Sequence, residues 1–190
     1  MTEKKLPQTI QNTTLAKTLE RSKTQLSVTQ NLLQKVKAAK ALVKQEDDSW
    51  IDRLYVWADN NIIQDSTNFP KNKATLLNSK RISLRWNRLS TVPKELFNLY
   101  HLEVLELNNN SIESLPEGIN KLVNLKELNL NVNKLRCLPK TIVELTELEV
   151  IKIKNNKHLE LSEEQSDWLK ELLKQGRTVI YDKYNFKLGE

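Results

Sequence analysis

The chain has 190 residues, 38% of them hydrophobic and 28% charged, with a formal net charge of +6. This length gives room for one ordinary domain, or one compact domain with an appendage, and the low apolar content favours a thin, open fold over a sphere. A single cysteine excludes an internal disulfide, two histidines are too few for a Cys/His metal cluster, and no apolar run is long enough to predict a membrane-spanning helix.

The positive charge is concentrated at the N-terminal end. Residues 1–44 hold nine Lys and Arg residues against Glu3 and Glu20, a net charge of +7, whereas the rest of the chain carries −1. Residues 1–13 are rich in Gln, Thr and Asn, which predicts a disordered tail. Within residues 14–48 apolar side chains recur mostly at intervals of three, four or seven, which predicts a basic amphipathic helical arm. The apolar face of that arm needs a partner surface.

A second helix is predicted from Ser49 to Asn60, with Trp50, Leu54 and Trp57 on one face. Beyond it, a 23-residue repeat begins at Ser79, Leu102 and Leu125, with a degenerate fourth copy at Leu148. Apolar fourth and sixth positions alternate with outward-facing ones, as in a short strand with one buried face, so one strand per repeat would build a parallel sheet.

Two further columns of the repeat have a physical reason. The ninth position is always Asn, and its amide can satisfy backbone groups of the neighbouring coil, which predicts a structural asparagine ladder. The ladder residues are Asn87, Asn110, Asn133 and Asn156. A Val-Pro or Leu-Pro pair follows in the first three copies, and because proline blocks an ordinary α-helix there, we expect an extended or 3₁₀ segment before the chain turns inward.

This pattern resembles the leucine-rich-repeat family in its 23-residue form, which is found in bacterial proteins and in intracellular Ras-associated repeat proteins. The resemblance implies an α/β fold, namely a short solenoid with a parallel β-sheet on its concave face, an N-terminal helical segment and a C-terminal helix-strand cap. Residues 79–161 would form four repeats, the last degenerate. Residues 49–78 would form a helical N-terminal cap with a half repeat at Phe69-Pro70, and the Trp50 face would cover the first coil.

Residues 162–190 are predicted to form the C-terminal cap. Ser162 and Gln165 have the spacing of a capping box at the start of a helix over 163–175. Gly176 stands where a left-handed residue ends a helix, and a last strand is predicted over 178–181. Trp168 is expected in the core of this cap rather than in a ligand site.

On such a solenoid the side chains between the strand leucines form the concave surface. The predicted partner-binding residues are Arg81, Arg85, Trp86 and Arg88 in the first repeat, Val104, Glu106 and Asn108 in the second, Glu127, Asn129 and Asn131 in the third, and Val150, Lys152 and Lys154 in the fourth. Trp86 has the composition of an interface hot spot, although it could instead fold against the N-terminal cap. Glu106 and Glu127 lie one repeat apart, so we expect a carboxylate stripe that an arginine of a partner could bridge.

The function that these features indicate is a non-catalytic protein-interaction module, with no metal and no cofactor. Three glycines leave no phosphate-binding loop, and Cys137 is expected to be a partly buried small apolar residue. Two alternatives remain open, a scaffold that self-associates through residues 14–44, or a peripheral binder of membrane or nucleic acid through the basic arm. The arm lacks the aromatic residues that membranes and nucleic acids call for, which argues against the second. We expect a cytoplasmic location, with secretion as an effector left open.

Overall fold

The computed structural model describes residues 30, 48–62 and 69–182, and the repeats lie in a compact unit that spans Ser49–Glu190. The predicted disordered tail and nearly all of the basic arm lie outside the described residues. Among the described helices, none is both long and apolar enough to cross a membrane.

Five short strands form one parallel sheet in the order β1-β2-β3-β4-β5. The strands are β1 Arg81–Ser83, β2 Val104–Glu106, β3 Glu127–Asn129, β4 Val150–Lys152 and β5 Thr178–Ile180. Their register advances by one repeat per strand, so that the central residues are paired as Ile82 with Leu105, Leu128 with Ile151, and Ile151 with Val179. The central residues of β1 to β4 are fully buried. The predicted parallel sheet, with one strand per repeat and a further strand in the cap, is confirmed.

In the first three repeats the side opposite the sheet is a short 3₁₀ helix, as predicted from the proline column. These helices span Lys94–Asn98, Ile119–Lys121 and Lys140–Glu144. Pro93 and Pro139 are the N-cap residues of the first and third. In the second, the left-handed Gly118 follows Pro116 and is the N-cap, so that helix begins later in its repeat.

The N-terminal end of the repeats is covered by helix α1, Ser49–Asn61. Its buried face is formed by Ile51, Leu54 and Ala58, whereas Trp50 and Trp57 are only partly buried against the core. Arg53 Nε lies 3.0 Å from Glu95 Oε1 and so joins α1 to the first repeat.

A short α-helix, α2 over Lys73–Leu77, stands where the half repeat was predicted. Asn72 is its N-cap and accepts a hydrogen bond from the Thr75 backbone N–H. Leu76 is fully buried, so this segment contributes to the core as the repeat pattern indicates, through an α-helix instead of a 3₁₀ helix.

At the C-terminal end, α3 spans Glu163–Lys174 and begins with the predicted capping box of Ser162 and Gln165. The Gln165 side chain is buried and donates to the carbonyl oxygens of Leu138 and Pro139, which fixes the helix on the third repeat. Gly176 is left-handed with φ 75°, and β5 follows it. Trp168 is half-buried against the core beside the fully buried Leu169.

Candidate interaction surface

The exposed face of the sheet carries the third and fifth positions of each repeat. Because successive side chains of a strand point to opposite faces, the buried residue at the fourth position fixes its two neighbours on the open face. These neighbours are Arg81 and Ser83 on β1, Val104 and Glu106 on β2, Glu127 and Asn129 on β3, and Val150 and Lys152 on β4. Apart from the exposed Arg81, they are only partly exposed, so each is packed among its neighbours.

The charges on this face are paired within the chain. Arg81 Nη1 lies 3.1 Å from Glu106 Oε1, and Lys152 Nζ lies 2.6 Å from Glu127 Oε1. Glu106 and Glu127, the predicted surface stripe of carboxylates, therefore already have cationic partners within the chain. Each carboxylate is bridged by a basic residue of an adjacent strand, since the long Arg and Lys side chains reach diagonally across the sheet. A partner's arginine would have to displace an internal cation.

The strand ends present a second set of predicted residues, at the seventh and eighth positions. Arg85 and Lys154 are exposed here, and Asn108 and Asn131 are partly exposed. Trp86 is 59% exposed, so it does not fold away against the N-terminal cap. Arg88, two residues further on, is also exposed.

Every residue at the eighth position has a left-handed backbone. The values of φ are 63° for Trp86, 59° for Asn109, 56° for Val132 and 60° for Asn155. Asparagine tolerates this conformation, but a bulky or β-branched residue is a backbone outlier there. Val132 is nevertheless 41% exposed, so its side chain is only partly buried in return. At this position the valine side chain itself gives no signal of the left-handed backbone that the structure shows.

The asparagine column links consecutive coils at the base of these strand ends. Asn133 Oδ1 accepts from the Ile112 N–H at 3.0 Å, and its Nδ2 donates to the carbonyl oxygens of Leu107 and Leu130. Asn110 and Asn156 repeat this arrangement one coil earlier and one coil later. The amides thus hold the turns that position the strand-end side chains.

At the other end of the strands, where they begin, acidic and basic side chains of neighbouring repeats pair with each other. Glu103 accepts hydrogen bonds from the ammonium groups of both Lys80 and Lys126, one from each neighbouring repeat. These two hydrogen bonds hold the pKa of Glu103 below its usual value, and the bond to Glu103 raises the pKa of Lys126. At the start of the strands one glutamate is therefore shared by the lysines of the two neighbouring repeats.

The described residues hold no group of three or more His, Cys, Asp or Glu side chains that could bind a metal ion. Cys137 is an exposed free thiol, so the expectation of partial burial is wrong. The buried neighbours Leu135 and Leu138 leave the intervening positions facing solvent.

Comparison with known proteins agrees with this architecture. Residues 66–177 match a family model described as a leucine-rich repeat region. A Leptospira interrogans leucine-rich-repeat protein, LIC12759, is 30% identical with a TM-score of 0.46, over 57% of this chain and 26% of that one. The leucine-rich repeat domain of the Xanthomonas type III effector XopL is 22% identical with a TM-score of 0.43, over 67% and 46%.

This chain thus spans about a quarter of the Leptospira protein and less than half of the XopL domain. No curated protein matches the sequence. The family match covers more than half of the chain, in the same residues that form the repeated strand, asparagine turn and 3₁₀ helix. The chain therefore belongs to the leucine-rich repeat proteins.

Proposed function

We propose that this chain is a non-catalytic module that binds a partner protein through the concave face of its repeats. The observation that carries the proposal is the arrangement of that face, where a fully buried central residue on each of the strands β1 to β4 holds its two neighbours in fixed outward positions. A partner would meet a rigid surface, so little side-chain order is lost on binding.

The composition of the face supports a protein ligand. Val104 and Val150 offer partly exposed apolar area, Asn129 offers a donor and an acceptor, and the paired charges of Arg81 with Glu106 present both signs. Mixed apolar and polar area of this kind is typical of protein interfaces. The alternatives that depend on residues 14–44 lie outside the described residues and stay predictions, as do the cytoplasmic location and the bacterial origin.

A pair of matched variants tests the proposal. Val104→Arg with Asn129→Arg places two bulky cations on the concave face, whereas Thr91→Arg with Ser114→Arg places the same groups at exposed positions away from the strands. Partners captured on the intact chain from lysate of its source organism should be retained by the second variant and lost from the first. Partners retained equally by both would refute binding through this face, provided that circular dichroism shows both variants folded.

A further inference from the structure

The strand ends carry an unbalanced charge. We define the strand-end strip as the seventh, eighth and tenth positions of the four repeats, which are Arg85, Trp86 and Arg88, then Asn108, Asn109 and Ser111, then Asn131, Val132 and Lys134, then Lys154, Asn155 and Lys157. Five of these residues are cations and none is a carboxylate. Two of the cations, Lys134 and Lys157, were not among the predicted partner-binding residues.

The five cations of the strip are exposed, and none has an ion pair within the described parts of the chain. This contrasts with the rest of the sheet, where the charged side chains on the open face and at the start of the strands form ion pairs with one another. Two carboxylates lie beside the strip, Glu113 and Asp182, and within the described parts of the chain neither forms an ion pair with one of its five cations. Glu113 lies 3.9 Å from Arg136, and Asp182 accepts a hydrogen bond from the Asn155 backbone N–H.

The same strip holds the two apolar residues with a left-handed backbone, Trp86 and Val132. Each is unfavourable to the fold on two counts, because its backbone conformation suits asparagine better and much of its apolar side chain, 59% for Trp86 and 41% for Val132, stays exposed to water. Asn109 and Asn155 occupy the equivalent positions of the other two repeats. A local conflict that the core does not require is typical of a functional surface.

We propose that the strand-end strip binds an acidic peptide segment of the partner protein, with an apolar side chain of that segment packed between Trp86 and Val132. The inference rests on the proposed function, since it assumes a protein partner and specifies its chemistry. Trp86 and Val132 stand two repeats apart, about 10 Å at the usual spacing of parallel strands, so about three residues of extended peptide span them. Arg85, Arg88 and Lys134 flank this interval and would face the peptide carboxylates.

A peptide fits the strip better than a nucleic acid. Single-stranded nucleic acid requires several aromatic side chains on which bases stack, and Trp86 is the strip's one aromatic residue. Between it and Val132 stand Asn108, Asn109 and Asn131, whose amides provide both donors and acceptors for peptide groups.

The test uses the full chain and a displayed library of random peptides of about twelve residues, enough to cross all four repeats. Enriched peptides should combine Asp or Glu with at least one large apolar residue. Their affinity, measured by fluorescence anisotropy on synthetic copies, should fall at least tenfold for Trp86→Asn with Val132→Asn. Asparagine suits the left-handed backbone, so this variant should remain folded. Affinity should also fall as salt is raised, because the cations are exposed.

Other outcomes separate this inference from the proposed function. Acidic peptides that ignore the asparagine variant, yet are lost with Val104→Arg and Asn129→Arg, would overturn the strip and leave the concave face as the binding surface. Selection without enrichment of acidic residues would also overturn it. A thymidine oligonucleotide that binds as tightly as the best peptide, and loses affinity with the asparagine variant, would overturn it in favour of nucleic acid.

Discussion

Replacing Asn133 with Ala should remove one rung of the asparagine ladder at a cost that the structure allows us to apportion. The carbonyl oxygens of Leu107 and Leu130 each lose one donor but keep another, because Asn110 donates to the first and Asn156 to the second. The buried Ile112 N–H loses the side-chain oxygen to which it donates. An unsatisfied buried donor costs about 1–3 kcal/mol and each lost hydrogen bond about 1 kcal/mol, so we expect a loss of about 3–5 kcal/mol.

The loss is measurable as the difference in free energy of unfolding by urea. Asn108→Ala is the matched control, since it removes the same amide from the partly exposed seventh position and should change stability by less than about 0.5 kcal/mol. The total stability of a domain of this size is about 5–15 kcal/mol, so the Asn133 variant should unfold at a much lower urea concentration. A loss below about 1 kcal/mol would refute the reasoning, because it would mean that the Ile112 N–H finds another acceptor at no cost.

Three further predictions concern backbone conformation and pH. Val132→Asn should raise the free energy of unfolding by about 1 kcal/mol, because asparagine is better suited to φ 56°, and a urea titration that shows a loss would contradict this. Gly176→Ala should lower the free energy of unfolding by about 1–2 kcal/mol, measured as a lower melting temperature. An added Cβ meets no atom within 4 Å, so the loss would come from the left-handed backbone, and an unchanged melting temperature would refute that cause. Burial raises the pKa of Glu95, but the hydrogen bond and charge of Arg53 outweigh it and the net pKa is lowered from 4.5. The stabilisation by Glu95 is therefore fully present above about pH 4.5 and is lost as pH falls through the lowered pKa. The Glu95→Gln variant should lose less stability on acidification than the unchanged chain does. An equal loss in both proteins would count against this ion pair.

The repeated part of the fold was predictable because the residue at each position of the repeat packs against the equivalent residue of the next repeat. Leu105 is buried against the equivalent residues of both neighbouring strands, so the 23-residue period fixes the sheet and its register together. The ends lack such neighbours. At the N-terminal end the pattern of Phe69-Pro70 predicted a half repeat, but Asn72 caps an α-helix there, and this local signal determines the backbone.

The apolar side of α1 was predictable from the sequence, but the degree of burial of each residue on that side was not. Trp50 and Trp57 mark the apolar side of the helix correctly, but only a narrow stripe of a cap touches the coil beneath it. Ile51, Leu54 and Ala58 fill that stripe, while the larger indole rings remain at its margin. Periodicity identifies the side of the helix that faces the core, and only the contact geometry shows which residues of that side are fully buried.

The concave surface was predictable in membership but not in electrostatics. The alternation of buried and open positions identifies Glu106 and Glu127 as surface residues. It does not say that Arg81 and Lys152 turn diagonally to meet them, because long side chains have many rotamers and the pairing depends on which neighbour is free. The left-handed turn at the eighth position is likewise invisible where the residue is tryptophan or valine instead of asparagine.

The two ends of the strands therefore differ in whether their charges are paired within the chain or available to a ligand. Where the strands begin, Glu103 forms ion pairs with Lys80 and Lys126, and these pairs help to fix the register of adjacent repeats. Where the strands end, the exposed cations Arg85, Arg88 and Lys134 form no ion pair with any residue that the structure describes. Arg85 and Arg88 lie in one repeat, and Lys134 lies two repeats further on, about 10 Å away at the usual strand spacing. This distance is close to the Debye length of about 8 Å at physiological ionic strength, so the fields of the three cations are partly screened but still add near the surface and increase the rate of encounter with an acidic ligand. Replacing Arg85 and Lys134 with Gln should accordingly slow association with an acidic peptide more than it speeds dissociation. Trp86→Asn should instead act mainly on the dissociation rate. Stopped-flow fluorescence can measure both rates. Equal effects of both changes on the two rates would mean that charge and apolar contact do not have these separate roles.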